Sequence, residues 1–367
     1  MLSGERSVSR RRQTITDIAT AAGVSKSAVS CALNNRPGVS DATRKRILAV
    51  AEAVGWRPNH SARVLSGKPV NAVGLVLNRP AQLLAMEPFF MELISGIEMG
   101  FSRESVALML QVVGSVEAEM ATYKAWWTEH RVDGVLVVDL RVDDLRIPFL
   151  TELGMPTVVL GEPGHTGSFT AVWNDDGAAV IEAVRYLIML GHRRIGHVIG
   201  RLDFLYTKRR DDVFRRTVAD AGATGWSVAT DYSAAEGARA TRSLLLAVQP
   251  PTAIVYDNDL MAIAGLAVAR ELGVRVPEDL SLVAWDGSIL CRFVHPPLTV
   301  MTRDIVDHGR VAAEQLLKLI HNQDVENIQV PTAHLTPQGS TGPFREPGGS
   351  ADVIDGLSSI PQNFDSI

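Results

Sequence analysis

The stretch TITDIATAAGVSKSAVSCALN, residues 14–34, decides what the N-terminal part of this chain is. Thr14 stands three residues before Asp17, an acidic variant of a capping box that opens a helix ahead of Ile18 and Ala19. Gly23 breaks that helix. Ser25 caps a second, from Lys26 to about Asn34, in which Val29 and Leu33 share one face. Asn35, Arg36, Pro37 and Gly38 form a turn, and Ser40 caps a third helix carrying Ile47, Leu48, Val50, Ala51 and Val54 before Pro58 and Asn59 end it. Two helices joined by a tight turn make a helix-turn-helix, whose second helix has the right size for the major groove of DNA. A small helical bundle that binds nothing has the same outline. The outward positions favour the first reading. Lys26, Ser27, Ser30, Cys31 and Asn34 are polar or small, and this helix carries no acid, which phosphates would repel.

Charge divides the chain at the same place. Residues 1–68 hold twelve Lys and Arg against four Asp and Glu, a balance of +8 in a chain whose formal charge is −5, so the other residues carry −13. A basic module on an acidic body points to a polyanionic partner for the module alone. At 367 residues and 46% hydrophobic, the chain is long enough for two or three domains with their own cores, and its composition excludes collagen-like, disordered and disulfide-framework classes. No apolar run approaches the roughly 18 residues of a membrane span, and no apolar stretch follows the basic N-terminus, so neither a membrane partner nor a secretory signal is expected. Two distant cysteines, Cys31 and Cys291, fit a reducing cytoplasm.

From residue 71 the pattern changes. Short apolar runs at 72–77, 107–113, 134–138, 157–160, 195–199, 253–256 and 280–284 alternate with amphipathic segments near 89–103, 117–130, 176–190, 208–221, 234–247 and 258–272. Such alternation implies parallel sheets with helices on both faces, and this many units imply two sheets. A last helix near 304–320 precedes a Pro-, Gly- and Ser-rich tail, 337–367, read as disordered.

The run from Thr14 through Lys68 resembles the DNA-binding headpiece of the lactose-repressor/galactose-repressor family of bacterial transcription regulators. Further segments, among them MEPFFMELISGIE, WNDDGAAV, LGHRRIGHVIG and RVPEDLSLVAWDGS, resemble that family's periplasmic-binding-protein-like core in the same order. The resemblance implies a multidomain protein: an all-α helix-turn-helix headpiece plus an α/β core of two parallel-sheet subdomains. Its expected divisions are a basic N-terminus (1–13), headpiece (14–58), hinge helix and linker (59–70), effector-binding and dimerisation core (71–336) and tail. Within the core, one subdomain takes about 71–172 and 298–326, the other about 173–297 and 327–336.

By the same resemblance, Thr14 and Ser25 contact phosphates, Lys26 and Ser27 read bases, and Ser30 faces the backbone. Cys31 stands where many members have Arg, and Asn34 ends the helix. Asn59, Ala62 and Leu65 lie on the hinge helix, with Leu65 as a minor-groove wedge. Ligands of open parallel sheets bind beyond the carboxyl ends of strands. The candidate effector residues are therefore Asn78, Phe89, Trp173, Arg210, Asn258, Trp285 and Asp286, a set suited to a polyhydroxyl or small polar ring. Three positions depart from the family pattern: Val213 for Gly, Gly287 for Asp, and Gly161 for Asp with Glu162 next to it. The partners implied are an operator in double-stranded DNA, a small effector (a carbohydrate, with a nucleoside or other metabolite as alternative) and a second copy of the chain.

Two rival classes fit the sequence less well. A transport-type sugar-binding protein does not explain the basic headpiece. A nucleotide-dependent enzyme needs motifs absent here: there is no GxGxxG after a strand, no GxxxxGK[ST] and no HExxH. No catalytic residue, metal site or cofactor is therefore expected, and His192, His197 and His295 lack metal-ligand spacing.

Overall fold

A computed structural model describes residues 13–33, 36–54, 56, 69–102 and 104–344. The chain divides into two compact units, Met1–Val70 and Asn71–Ile367. In the first, α1 (Ile15–Ala22), α2 (Lys26–Leu33) and α3 (Asp41–Ala53) enclose a core of Ile18, Ala19, Ala22, Val29, Ala32, Ile47 and Ala51. Thr14 and Asp17 form the reciprocal capping box, Asp17 Oδ2 accepting from Thr14 N at 2.7 Å. Gly23 adopts φ +64°, a left-handed conformation that costs glycine little and lets α1 stop one residue before the turn. Leu48 and Val54 on α3 are exposed, outside this small core.

The second unit contains two six-stranded sheets. The first takes the order β11-β5-β4-β3-β1-β2, from strands β1 (Ala72–Leu77), β2 (Ala107–Val112), β3 (Gly134–Val137), β4 (Thr157–Leu160), β5 (Thr170–Trp173) and β11 (Ile328–Gln329). The second takes the order β12-β10-β9-β8-β6-β7, from β6 (Arg194–Ile199), β7 (Thr224–Ala229), β8 (Ala253–Tyr256), β9 (Ser281–Asp286), β10 (Thr299–Thr302) and β12 (His334–Thr336). All pairings are parallel except β10 with β12. The inner strands β1, β3 and β8 are buried along their whole length, as a sheet covered on both faces requires. The intervening helices are α4 (Ala81–Met86), α5 (Pro88–Phe101), α6 (Val116–Thr128), α7 (Arg146–Leu153), α8 (Asp176–Met189), α9 (Leu205–Asp220), α10 (Ala234–Leu245), α11 (Asp259–Glu271), α12 (Leu290–Phe293) and α13 (Ile305–Ile320). α13 returns to the first sheet and packs on α5 so closely that a Cβ at Gly96 would lie 1.9 Å from the Val306 carbonyl oxygen.

Three expectations need correction. Strand Thr299–Thr302 belongs to the second sheet, in register with β9 (Thr299 opposite Val283), so the chain recrosses after residue 302 and not at 298. Strand Ile328–Gln329 belongs to the first sheet, beside β5, so the last crossing follows residue 329 and not 326. The polar tail does not begin at 337 either. Residues 337–344 are docked on the second subdomain: Ser340 Oγ accepts from Thr299 N at 2.8 Å, Leu282 N donates to the Ser340 carbonyl at 2.9 Å, and Phe344 N donates to the Leu190 carbonyl at 2.7 Å. Hydrogen bonds rather than an apolar period hold this segment, which is why its composition reads as unstructured.

Candidate functional site

On the headpiece, the second helix presents the side chains singled out from the sequence. Ser25 Oγ accepts from Ala28 N at 3.1 Å, which makes Ser25 the cap, and lies 2.8 Å from Ser27 Oγ. Ser25, Lys26 and Ser27 are exposed, and Ser30 and Cys31 half-buried. Thr14 is exposed at the start of α1. Asn34, Asn59, Ala62 and Leu65 lie outside the described residues. Sequence reasoning passed over Arg44. Its guanidinium donates to the carbonyls of Ala32 at 3.3 Å and Arg36 at 2.8 Å, placing a cation on the carbonyl end of α2. An arginine one turn into α3 was the available signal.

In the second unit, the carboxyl ends of the two sheets face one another across a cleft. It encloses about 950 Å³ of empty space, open solvent at its mouth included. Most of the polar residues lining it sit at the end of a strand or within three positions beyond it: Arg79 after β1, Asp139 after β3, Glu162 after β4, Asn174 and Asp176 after β5, Tyr232 after β7, Asp257 after β8, and Arg303 after β10, with Asp286 ending β9; Tyr206, Arg209 and Arg210 come from α9, His308 from α13, and Glu87 from the start of α5. Parallel strands all deliver their C-terminal residues to the same edge, so topology alone gathers them. Three of these turns are strained. Asp139, Tyr232 and Asp286 have φ of +53°, +73° and +83°, a region rare for non-glycine residues and found where function over-determines the backbone. Gly287 continues the last turn at φ +79°, where an aspartate side chain would be disfavoured.

The cleft is lined by ion pairs. Arg79 donates to both oxygens of Asp139 at 2.8 Å, and to Tyr206 Oη at 2.9 Å. Its guanidinium also lies over the rings of Phe204 (4.4 Å) and Tyr232 (5.0 Å), which belong to the other subdomain. Burial opposes ionisation of Asp139, but Arg79 outweighs it and holds the carboxyl below the usual range. Arg210 reaches Asp176 at 3.0 Å and is sandwiched between Trp285 (4.2 Å) and Tyr206 (5.3 Å). Arg303 donates to Asp286 at 2.6 Å, and Arg209 lies 3.0 Å from Glu162. Glu87 is different: it makes no ion pair among the described residues, and burial raises its carboxyl to about 7 against the opposing pull of Arg79. Burial likewise lowers His308, whose Nε2 lies 3.1 Å from the Val172 carbonyl, to about 4. Buried polar atoms without a hydrogen-bond partner include Arg79 Nη1, Glu87 Oε2 and Arg210 Nε.

Of the seven effector candidates, Phe89, Trp173, Arg210 and Asp286 line this cleft, whereas Asn78, Asn258 and Trp285 do not. At the end of β1 it is Arg79, one residue beyond Asn78, that enters. Asn258 uses its side chain to cap α11, accepting from Met261 N at 2.9 Å and donating to the Tyr232 carbonyl at 3.0 Å. Trp285 is fully buried behind Arg210 and forms its backing. The sequence reading missed Arg79, Asp139 and Arg303, because which residue of a strand-end turn faces inward is set by the backbone there, and it missed Glu87 and Tyr206, which enter from the starts of α5 and α9 rather than from strand ends.

Comparison with known proteins agrees with both halves. The family of bacterial regulatory proteins named for lacI matches residues 14–59, and a periplasmic binding protein-like domain matches residues 184–341. The HTH-type transcriptional regulator CelR of Thermobifida fusca is 30% identical over 328 residues, covering 88% of this chain and 96% of that protein. This chain belongs to the LacI family. Another relative, the HTH-type transcriptional repressor PurR of Aliivibrio fischeri, is 30% identical over 322 residues, 85% of this chain and 93% of that one. Among solved structures, a CelR–cellobiose complex superposes with TM-score 0.67 at 28% identity, over 90% of this chain and all of the other. LacI-family proteins are DNA-binding transcription regulators and not enzymes. No helix among the described residues is long and apolar enough to cross a membrane.

Proposed function

We propose that this LacI-family regulator is a repressor that binds a pseudo-palindromic operator as a homodimer in the cytoplasm, and that the cleft between its sheets senses a small sugar. The cleft carries the sensing part of the reading. It combines ion-paired guanidiniums and carboxylates with the aromatic side chains of Phe89, Trp173 and Tyr206, a lining able to give and accept hydrogen bonds around a polyhydroxyl ring. Arg79 and Glu87 both line it, and each keeps one buried atom unpaired. An unmade buried bond costs about 1–3 kcal/mol, which a ligand hydroxyl would recover. Cellobiose in CelR makes a sugar the first candidate.

Two further features support the rest. β2 is an edge strand with Leu110 and Val112 exposed, and Met91 and Met99 stand exposed on α5. An edge this apolar favours a second copy as its cover. On the headpiece, Thr14, Ser25, Lys26, Ser27, Ser30 and Cys31 are the proposed DNA contacts, with Asn34, Asn59, Ala62 and Leu65 added from the sequence. Effector binding must favour one angle between the subdomains over another, or it moves no equilibrium. The test is selection of DNA from a random pool by the full-length protein, followed by titration of the recovered site with cellobiose and glucose. An inverted-repeat site bound by a dimer and released or tightened by one sugar is the expected result. Recovery of no common sequence overturns the operator reading.

A further inference from the structure

The charges facing the cleft balance in a way that restricts what can enter it. Four guanidiniums line it, and each already has a carboxylate: Arg79 has Asp139, Arg209 has Glu162, Arg210 has Asp176, and Arg303 has Asp286. Two further carboxylates line the same space. Asp257 is occupied by His197 Nε2 at 3.1 Å and the Gly200 amide, with Arg210 Nη1 at 3.7 Å, and Glu87 makes no ion pair among the described residues, although Arg79 lies near enough to act on it. Among the described residues no lysine lines the cleft, and the lining histidine, His308, is kept neutral by burial. Leaving out Glu87, which burial drives toward its neutral form, five carboxylates still face four guanidiniums, in a site where low dielectric magnifies each charge.

We propose that the effector of this cleft carries no negative charge, so that phosphorylated or carboxylated metabolites are rejected and a neutral, hydroxyl-bearing ligand is selected. The inference rests on the cleft being the effector site and specifies the ligand's charge. An anionic group placed here shares the cleft with Asp139, Asp176 and Asp286, and can gain a guanidinium only by taking it from a carboxylate that would be left buried and unpaired. A hydroxyl has no such conflict. It can accept from Arg79 Nη1 or Arg210 Nε, and can donate to Glu87 Oε2, the atoms left without partners.

The experiment follows the melting midpoint of the full-length protein with inorganic phosphate, glucose phosphate and gluconate, each against sodium chloride of equal ionic strength, and with glucose and cellobiose. The proposal expects no shift from the three anions. It also expects Asp286→Asn, which frees the Arg303 guanidinium, to gain a phosphate-dependent rise in melting midpoint that the native chain lacks. A shift of the native protein by any of these anions that disappears in Arg79→Gln or Arg303→Gln overturns it. A shift lost only in Arg209→Gln or Arg210→Gln overturns it as well, whereas a shift that survives substitution of each of the four cleft arginines comes from outside the cleft and supports exclusion of anions from it. If glucose and cellobiose are silent along with the anions, the sugar reading of the cleft fails while the charge restriction holds.

Discussion

Glu87, from the first subdomain, accepts a hydrogen bond of 3.4 Å from the side-chain amide of Asn258, which caps α11 of the second. The contact joins the two halves of the cleft through a carboxyl that burial drives toward its neutral form, to about 7 from an ordinary 4.5. The arginine beside it, Arg79, opposes that shift without cancelling it, and Asp286 adds to it.

This makes stability fall as pH rises. Between about pH 4.5 and 7 the folded chain keeps a proton on Glu87 that the unfolded chain has lost, so the folded state is progressively penalised across that window. The penalty reaches about 3 kcal/mol above it. Asp259, raised to about 6 by burial and by Asp286, adds in the same direction. Glu87→Gln keeps an acceptor for Asn258 and removes the larger part of the slope. Melting curves from pH 5 to 8 on both proteins check it, and equal slopes refute the assignment.

Arg79→Ala strands Asp139 in a buried site. A loss of about 3–5 kcal/mol in urea unfolding is expected, because the carboxylate keeps its burial and loses its counter-charge. Replacing Arg79 by Met and Asp139 by Leu together should recover most of it. If the pair costs as much as the single change, the ion pair is not what fixes this turn.

A second buried network lies just outside the cleft. Arg146 reaches Glu119 at 2.5 Å and Asp144 at 2.6 Å, and donates to the carbonyls of Val138 (3.0 Å) and Asp139 (2.9 Å), while Arg141 reaches Glu119 at 3.3 Å. Glu119→Ala leaves two buried guanidiniums short of a partner, with an expected cost of about 3–5 kcal/mol. The segment it secures is joined to the other subdomain by Leu205 N to the Leu140 carbonyl (2.8 Å) and Val142 N to the Asp203 carbonyl (3.0 Å). Hydrogen exchange at Val142 and Leu205 should therefore quicken in this variant. Unchanged exchange there would separate the network from the cleft.

On the headpiece, Ser25→Ala removes the cap of α2 and should cost about 1 kcal/mol of headpiece stability along with operator affinity. Lys26→Ala should weaken binding and reduce the salt slope by about one, if this lysine meets a phosphate. If it reads a base instead, the slope stays and sequence preference relaxes at one position. A mobility-shift titration across salt concentrations distinguishes the two.

What the sequence determined by itself is whatever short-range chemistry dictates. The Thr14 box, the Gly23 break and the Ser25 cap set the helix-turn-helix, since each depends on residues within four positions of one another. The alternation of apolar runs with amphipathic segments required two parallel sheets, and hence a cleft at their carboxyl edges. Tertiary structure decided the rest. Which sheet receives Thr299–Thr302 and Ile328–Gln329 depends on pairing across more than a hundred residues in the latter case, and no local pattern encodes that choice. The cleft's inner face likewise turns on backbone angles at Asp139, Tyr232 and Asp286, and on contacts between elements far apart in the chain. Arg79 replaces Asn78 there because alternation along a buried strand stops at its end, and the turn beyond it is set by what it packs against.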